Sequence, residues 1–292
     1  LDMAWSCNGT TNQEMVEKLK EAGILTTDKT VETMLAVDRA KYFHGPDPYL
    51  DRPRKIGFNV TISAPHMHAY ALSILSDQLC DNAKALDVGS GSGYLSACMA
   101  YMVGPNGRVV GIDHIPELVE MATKNVREDF PHFFKEGRIK FCTLSRRIKS
   151  DCVHQLRDFA VRYTRCLTQL GRTISLKWLK IQNVIGQNQT AAMIGIDLRE
   201  TSLGDGRLGY AADGPYNAIH VGAAASTLPQ KLIDQLAPGG RLVCPVVIGG
   251  FQRLQHLLQV DKNADGTVTQ KKLMDVSYVP LTDSATQLNN DY

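Results

Sequence analysis

Asp87-Val88-Gly89-Ser90-Gly91-Ser92-Gly93 places an acid and three alternating glycines directly after the apolar run Ala85-Leu86. A helix-compatible segment, Tyr94 to Val103, follows. Glycine is needed where backbone takes positive φ or approaches a ligand closely. A strand, a tight turn and a helix N-terminus in that order form a site for a nucleotide-like ligand. A second acid, Asp113, ends another apolar run 26 residues after Asp87, where a ribose hydroxyl is bound in such folds. Gly204-Asp205-Gly206-Arg207 repeats the acid at a strand end. No Walker lysine follows the glycine turn, which argues against phosphate cleavage. Ser63, His66 and His68 cluster upstream, but the two histidines stand two apart, which is not metal-ligand spacing on a helix. No Ser-His-Asp ordering supports an acylating serine. Ser63 also suits an N-cap of the helix after Pro65, and His220 reads as a core residue in mid-strand.

Those residues need an alternating frame around them. The sequence predicts helices over 11–22, 27–42 and 66–79, with loop from 43 to 58 and a short β-prone stretch, Asn59 to His68, broken by Pro65. Strands follow over 84–88, 108–113, from 138, and over 217–221, 241–247, 254–260 and 273–279. Helices fall at 117–127 and 229–236, and Asn263-Ala264-Asp265-Gly266 makes a hairpin turn. Strand-helix alternation predicts a parallel sheet, and the terminal hairpin an antiparallel edge. Residues 1–83 read as a helical extension packed on a core of 84–292, forming a single overall domain.

The bulk numbers restrict the function. The chain has 292 residues, 43% hydrophobic and 21% charged, with a net charge of +2. That balance predicts neither nucleic acid nor membrane as a partner. No apolar run approaches the ~20 residues of a membrane span. Residues 1–20 lack a signal-peptide core, and seven irregularly spaced cysteines read as reduced thiols, so a cytosolic protein is expected. The Asn-x-Thr sites at Asn8, Asn59 and Asn188 are then chance matches.

One segment breaks the pattern. Residues 142–203 carry ten Lys or Arg against four Asp or Glu, a net of +6, and three of the seven cysteines. An amphipathic helix is predicted over 151–167, and a loop this long inside an alternating core is unusual. Either Cys142-Thr143-Leu144 or Thr201-Ser202-Leu203 could complete the third strand of the core.

The glycine turn is similar to the first motif of S-adenosylmethionine-dependent methyltransferases. Taken with Val60-Thr61-Ile62-Ser63-Ala64-Pro65-His66-Met67-His68-Ala69, Ala218-Ile219-His220-Val221-Gly222-Ala223-Ala224-Ala225 and Tyr278-Val279-Pro280-Leu281-Thr282-Asp283, the chain resembles the protein-L-isoaspartate (D-aspartate) O-methyltransferase family. The resemblance runs over 3–141 and 204–283. It implies an α/β fold: a doubly wound, mostly parallel Rossmann-like sheet with an antiparallel C-terminal strand. It also implies S-adenosyl-L-methionine as cofactor, S-adenosyl-L-homocysteine as product, and isoaspartyl-containing proteins and peptides as partners, with no metal and a monomeric, cytosolic enzyme. Methylation of the abnormal carboxylate starts repair through a succinimide.

By the same resemblance Ser63 is the catalytic position, orienting the substrate carboxylate by a hydrogen bond. Ile62, Ala64, Pro65, His68, Asp87, Gly89, Ser92, Asp113, His114, Asp205, Gly206 and Thr282 fall at cofactor-binding positions. Val221, Gly222, Ala223 and Ala224 fall on the substrate side. The chain departs from the family in two places. Residues 142–203 stand where the family runs strand directly into the Gly-Asp-Gly-Arg turn, suggesting an alternative transcript or intervening sequence. Pro245-Val246-Val247-Ile248-Gly249-Gly250 replaces the usual Pro-Val-Gly-Pro before paired glycines. Two other readings stand: an isoform inactivated by residues 142–203, or a methyltransferase of small molecules or nucleic acid. Near-neutral charge and the lack of an Asn-Pro-Pro-Tyr-like motif disfavour nucleic acid.

Overall fold

The computed structural model describes residues 6–143, 205–249 and 254–281. Predictions on residues 144–204, and on Thr282, lie outside them. The described residues belong to one compact unit built from 1–144 and 204–292.

The chain enters through two capped helices. Thr11 accepts from the Glu14 N–H at 3.1 Å and starts α1 (Asn12–Glu21). A reciprocal capping box between Thr27 and Thr30 starts α2 (Asp28–Ala36). The expected continuation to Tyr42 does not form. Asp38 accepts from the Ala40 N–H at 2.9 Å and begins a separate 3-10 turn, Arg39–Lys41. A local side chain-to-backbone bond thus outcompetes the helix ladder. That break turns Arg39 inward.

The predicted loop over 43–58 also needs correction. Its end pairs as a hairpin, β1 (Arg54–Gly57) with β2 (Val60–Ile62). Phe58 and Asn59 join them with φ of 54° and 56°. Consecutive positive φ values suit a two-residue turn matching the twist of the flanking strands. Then comes α3 (Pro65–Ile74), with Ala64 at its N-cap and Pro65 in its first turn. Ser63 is therefore not the cap.

The core elements are β3 (Lys84–Val88), α4 (Tyr94–Met102), β4 (Arg108–Asp113), α5 (Pro116–Asp129), α6 (Pro131–Lys135) and β5 (Ile139–Thr143). After residue 205 come β6 (Tyr216–Val221), α7 (Gln230–Asp234), β7 (Leu236–Val247), β8 (Gln255–Lys262) and β9 (Val268–Val276). The seven-stranded sheet has the order β5-β4-β3-β6-β7-β8-β9. The strands β5, β4, β3, β6 and β7 run parallel to one another, while β8 runs antiparallel to both β7 and β9.

Cys142 and Thr143 complete β5, opposite Ile112 and Asp113. The strand β7 begins five residues before the predicted Arg241, and a register irregularity between Tyr216 and Ala218 of β6 absorbs Pro238-Gly239-Gly240. β8 and β9 sit closer to the Asn263–Gly266 turn than expected, because pairing zips out from that turn.

Side chains alternate between two cores. Ala85, Val109 and Ala218 join a cluster with Met15, Leu19, Met34, Leu72 and Met99 from the helices. Leu86, Val88, Ile112, Ile219 and Val221 join Leu232 and Leu242 in the other. Apolar residues on both faces mark buried parallel strands. From β3 the chain goes out to β4 and β5, then returns to β6 on the other side. The resulting switch point opens a crevice at the carboxyl ends of β3 and β6. Among the described residues no helix is long and apolar enough to cross a membrane.

Candidate active site

The crevice at the switch point is lined by four stretches: Val60–Ser63 with His68, Asp87–Ser92, Ile112–His114, and a far wall of Gly206, His220, Gly222, Ala223 and Val279–Leu281. Sequences far apart thus converge on one cleft.

The glycine turn is built as its composition requires. Gly89, Gly91 and Gly93 take φ of 81°, 50° and 83°. The N–H groups of Gly89 and Ser90 donate to the Ile112 carbonyl at 2.9 and 3.1 Å. Gly91 N–H donates to Asp113 Oδ2 at 3.2 Å, and Asn125 Nδ2 donates to the Ser92 carbonyl at 3.0 Å. The turn is therefore braced from β4 and α5 before any ligand arrives.

Asp87, at the end of β3, is buried and doubly held. Ser96 Oγ donates to its Oδ2 at 2.5 Å, and His220 Nδ1 lies 2.9 Å from its Oδ1. Asp113 is 5% exposed. Its Oδ1 accepts from the Ile115 N–H at 3.1 Å. Burial raises its pKa, opposed by the N–H groups of Ile115, Gly91 and His114 and by the His114 charge. A carboxylate has about four lone-pair sites, so these bonds leave acceptor capacity toward the cleft.

Two buried polar atoms on the cleft wall, Ser90 Oγ and His114 Nε2, have no hydrogen-bond partner among the described residues. Buried polar groups are normally paired. A polar ligand in the cleft would pair them, so these walls suit the nucleoside part of S-adenosylmethionine. Gly206 lines the cleft and packs closely against the end of β3. A Cβ there would meet Val88 Cγ1 at 2.9 Å.

Ser63 lines the cleft between β2 and α3. Its carbonyl accepts from Arg39 Nη2 at 2.8 Å. Arg39 also donates through Nε to the Pro48 carbonyl at 2.9 Å and lies 3.3 Å, through Nη1, from His68 Nδ1. Its guanidinium covers the Tyr94 ring at 5.7 Å, and the His68 ring lies 5.0 Å from that ring. Burial, then the Arg39 charge, hold His68 well below the ordinary histidine value. His66 points elsewhere. Its ring and N–H bond Asp51 Oδ1 at 2.7 and 3.0 Å. Burial pushes the Asp51 carboxyl up, but the His66 bonds outweigh it and leave a net lowering.

Of the predicted positions, Ile62, Ser63, His68, Asp87, Gly89, Ser92, Asp113, His114, Gly206, Gly222 and Ala223 line the cleft. Ala64 and Pro65 are buried at the start of α3 and support the wall from behind. Val221 belongs to the second core. Ala224 bridges Pro280, and its carbonyl accepts from the Leu281 N–H at 2.8 Å, tying Val279–Leu281 to the cleft. Asp205 does not line the cleft. It caps a short 3-10 turn, Gly206–Leu208, and its carboxylate accepts from Arg207 Nε at 2.7 and 2.8 Å. The Arg207 guanidinium lies on this acid, and among the described residues of that motif Gly206 lines the cleft.

Arg39, Tyr94, Ser96, Asn125 and His220 carry the site and were not predicted to do so. Its mid-strand place in the sequence predicts a core role for His220. Its β6 position lies directly opposite Asp87 in the strand register, which only the strand order reveals.

Comparison with known proteins agrees with this geometry. The family model described as protein-L-isoaspartate(D-aspartate) O-methyltransferase matches residues 10–142 and 165–286. The protein-L-isoaspartate O-methyltransferase of Triticum aestivum is 40% identical over 281 residues, covering 96% of this chain and 94% of that protein. Protein-L-isoaspartate O-methyltransferase 1 of Arabidopsis thaliana is 41% identical over 282 residues, covering 96% and 95%. A Plasmodium falciparum protein, solved as a candidate protein-L-isoaspartate O-methyltransferase in complex with S-adenosyl-L-homocysteine, has a TM-score of 0.65 and 29% identity, covering 94% of this chain and 99% of that one. With the glycine turn, the Ser63 stretch and the Gly222 stretch meeting in one cleft, this chain belongs to the protein-L-isoaspartate (D-aspartate) O-methyltransferase family.

Proposed function

We propose that the chain transfers a methyl group from S-adenosyl-L-methionine to the free carboxylate of L-isoaspartyl, and less readily D-aspartyl, residues of damaged proteins. The observation that carries this reading is the placement of Ser63 in the same cleft as Asp87, the glycine turn and Asp113. One wall suits a nucleoside with an amino-acid tail. The other carries the small residues Gly222 and Ala223.

The sulfonium cofactor, when bound, supplies an electrophilic methyl group. A carboxylate is already a nucleophile at neutral pH, so the chain needs no strong general base. Its work is alignment and exclusion of water. Asp87 would face the cationic amino group of the methionine end. Asp113 would accept from ribose hydroxyls, and Ser90 and His114 would pair with the remaining polar edge. The Ser63 hydroxyl orients the substrate carboxylate. Gly222 and Ala223, lacking bulky side chains, leave room for substrate backbone, with Val221 and Ala224 as support behind them. In this reading residues 1–83 are the substrate-side extension, residues 84–292 are the core interrupted at 142–203, and the enzyme works as a cytosolic monomer without nucleic acid or membrane.

Titration with S-adenosyl-L-homocysteine, then methylation of an isoaspartyl peptide beside its aspartyl twin, tests this. Labelling of the isoaspartyl peptide alone is expected; equal labelling of the twins sinks the substrate assignment. Light scattering tests the monomer.

The length of chain between β5 and Asp205 favours a second reading, an inactive isoform. Since Cys142 and Thr143 belong to β5, the informative deletion removes residues 144–203 and joins Thr143 to Gly204. Activity in both forms is expected. Activity in the deletion alone would make the full-length chain something other than the working enzyme.

A further inference from the structure

Arg39 is fully buried and forms no ion pair among the described residues. A buried cation without a counter-ion is costly. Burial pulls its pKa down to about 10, which still leaves it charged at neutral pH. Carbonyls of Pro48 and Ser63, the His68 ring nitrogen and the Tyr94 ring face satisfy it instead.

One of these contacts has a strict chemical consequence. A guanidinium has five N–H donors and no acceptor. A ring nitrogen 3.3 Å from Nη1 must therefore accept, so His68 Nδ1 carries no proton. The neutral ring then keeps its proton on Nε2. A doubly protonated ring would turn two N–H groups against each other and set a second positive charge beside Arg39. The groups facing His68 are Arg39 and Tyr94, with His66 and His220 further off, each of those bonded to its own acid, Asp51 and Asp87. No acceptor among the described residues takes the Nε2 proton, and His68 lines the cleft.

We propose that Arg39 is a positioning residue that fixes His68 as an Nε2–H donor on the cleft wall, where it holds a carboxylate. Arg39 does this from outside the cleft, through the Nδ1 edge of the ring, while its other arm holds the Ser63 carbonyl. One buried side chain thus sets the geometry of both. This deepens the proposed methyltransferase reading and rests on it. Two carboxylates could be taken there: the methionine end of the cofactor, or the isoaspartyl side chain.

The tautomer is read by long-range 1H–15N correlation spectra of the full-length protein, with His68 assigned by its Gln variant. An unprotonated Nδ1 and a protonated Nε2 between pH 5.5 and 8 are expected. A protonated Nδ1, or an imidazolium at neutral pH, overturns the proposal; this readout needs no variant of Arg39 to fold. Arg39→Met is expected to release the tautomer and to weaken carboxylate binding at least about tenfold, as for a lost charged-group hydrogen bond. Arg39→Lys, keeping a donor, recovers part of it. If the cofactor supplies the carboxylate, the loss appears for S-adenosyl-L-homocysteine and not for its decarboxylated analogue. If the substrate supplies it, KM for the isoaspartyl peptide rises and S-adenosyl-L-homocysteine binding holds. Loss in neither arm, with the His68 spectrum unchanged, overturns the proposal. Loss of isoaspartyl selectivity with the expected His68 spectrum would instead sink the substrate assignment alone.

Discussion

Asp87 and His220 face each other across neighbouring parallel strands, as register partners of β3 and β6, with His220 Nδ1 2.9 Å from Asp87 Oδ1. Ser96 holds the other carboxylate oxygen. Asp87 therefore meets a ligand already oriented. Replacing His220 by Phe keeps ring volume and removes that partner. Titration should show S-adenosyl-L-homocysteine binding weakened about tenfold, the size of one buried charged-group hydrogen bond. Unchanged affinity would mean that Ser96 alone suffices.

Gly93 joins the turn to α4 at φ 83°, and a Cβ there would meet Ala122 of α5 at 3.1 Å. Gly93→Ala combines a left-handed backbone with crowding against a helix. A loss of about 1–3 kcal/mol in stability is expected, read by urea or thermal unfolding. Gly137, at φ 64° with nothing within 4 Å, serves as a control for backbone strain alone, and its Ala variant should lose less.

Asp113 accepts from two buried backbone donors, Gly91 and Ile115. Asp113→Ala leaves both unpaired, at about 1–3 kcal/mol each. Denaturant unfolding should show this loss, and ligand binding should fall with it because the Gly91 turn loses its brace. Asp113→Asn keeps an acceptor and should lose less stability.

His68 has its folded-state pKa pushed down, first by burial and then by Arg39, His220 and His66. Below about pH 6.5 the unfolded chain binds a proton at this residue and the native chain does not. Stability should therefore be full above that pH and decline as pH falls toward the native value. Melting temperatures from pH 8 to 5 check this. His68→Gln should flatten that part of the curve; an unchanged curve would show that other groups set the acid limit.

How much of this was legible beforehand varied with the range of the interaction. β3 and β4 fall where their apolar runs and terminal acids placed them. Thr11 and the Asn263–Gly266 turn act as their residue types predict. The β1-β2 hairpin escaped notice because Phe58-Asn59 lacks the Asn-Gly or Asp-Gly pair that signals such a turn. The break after Val37 escaped because helical spacing continued past it, while one Asp38 side chain decided otherwise.

The site divides in the same way. The sequence alone determined the family, the glycine turn and the acids that flank it, because a strand, its turn and the next helix are contiguous and their backbone demands show in residue type. Tertiary structure alone decided which neighbours hold them. It brought Arg39 beneath Ser63 and His68, set His220 against Asp87, and gave Asp205 to Arg207. The physical reason is that a polar side chain's role depends on the partner it finds once buried. Partners 133 or 24 residues apart are chosen by strand order and packing, which no local spacing encodes.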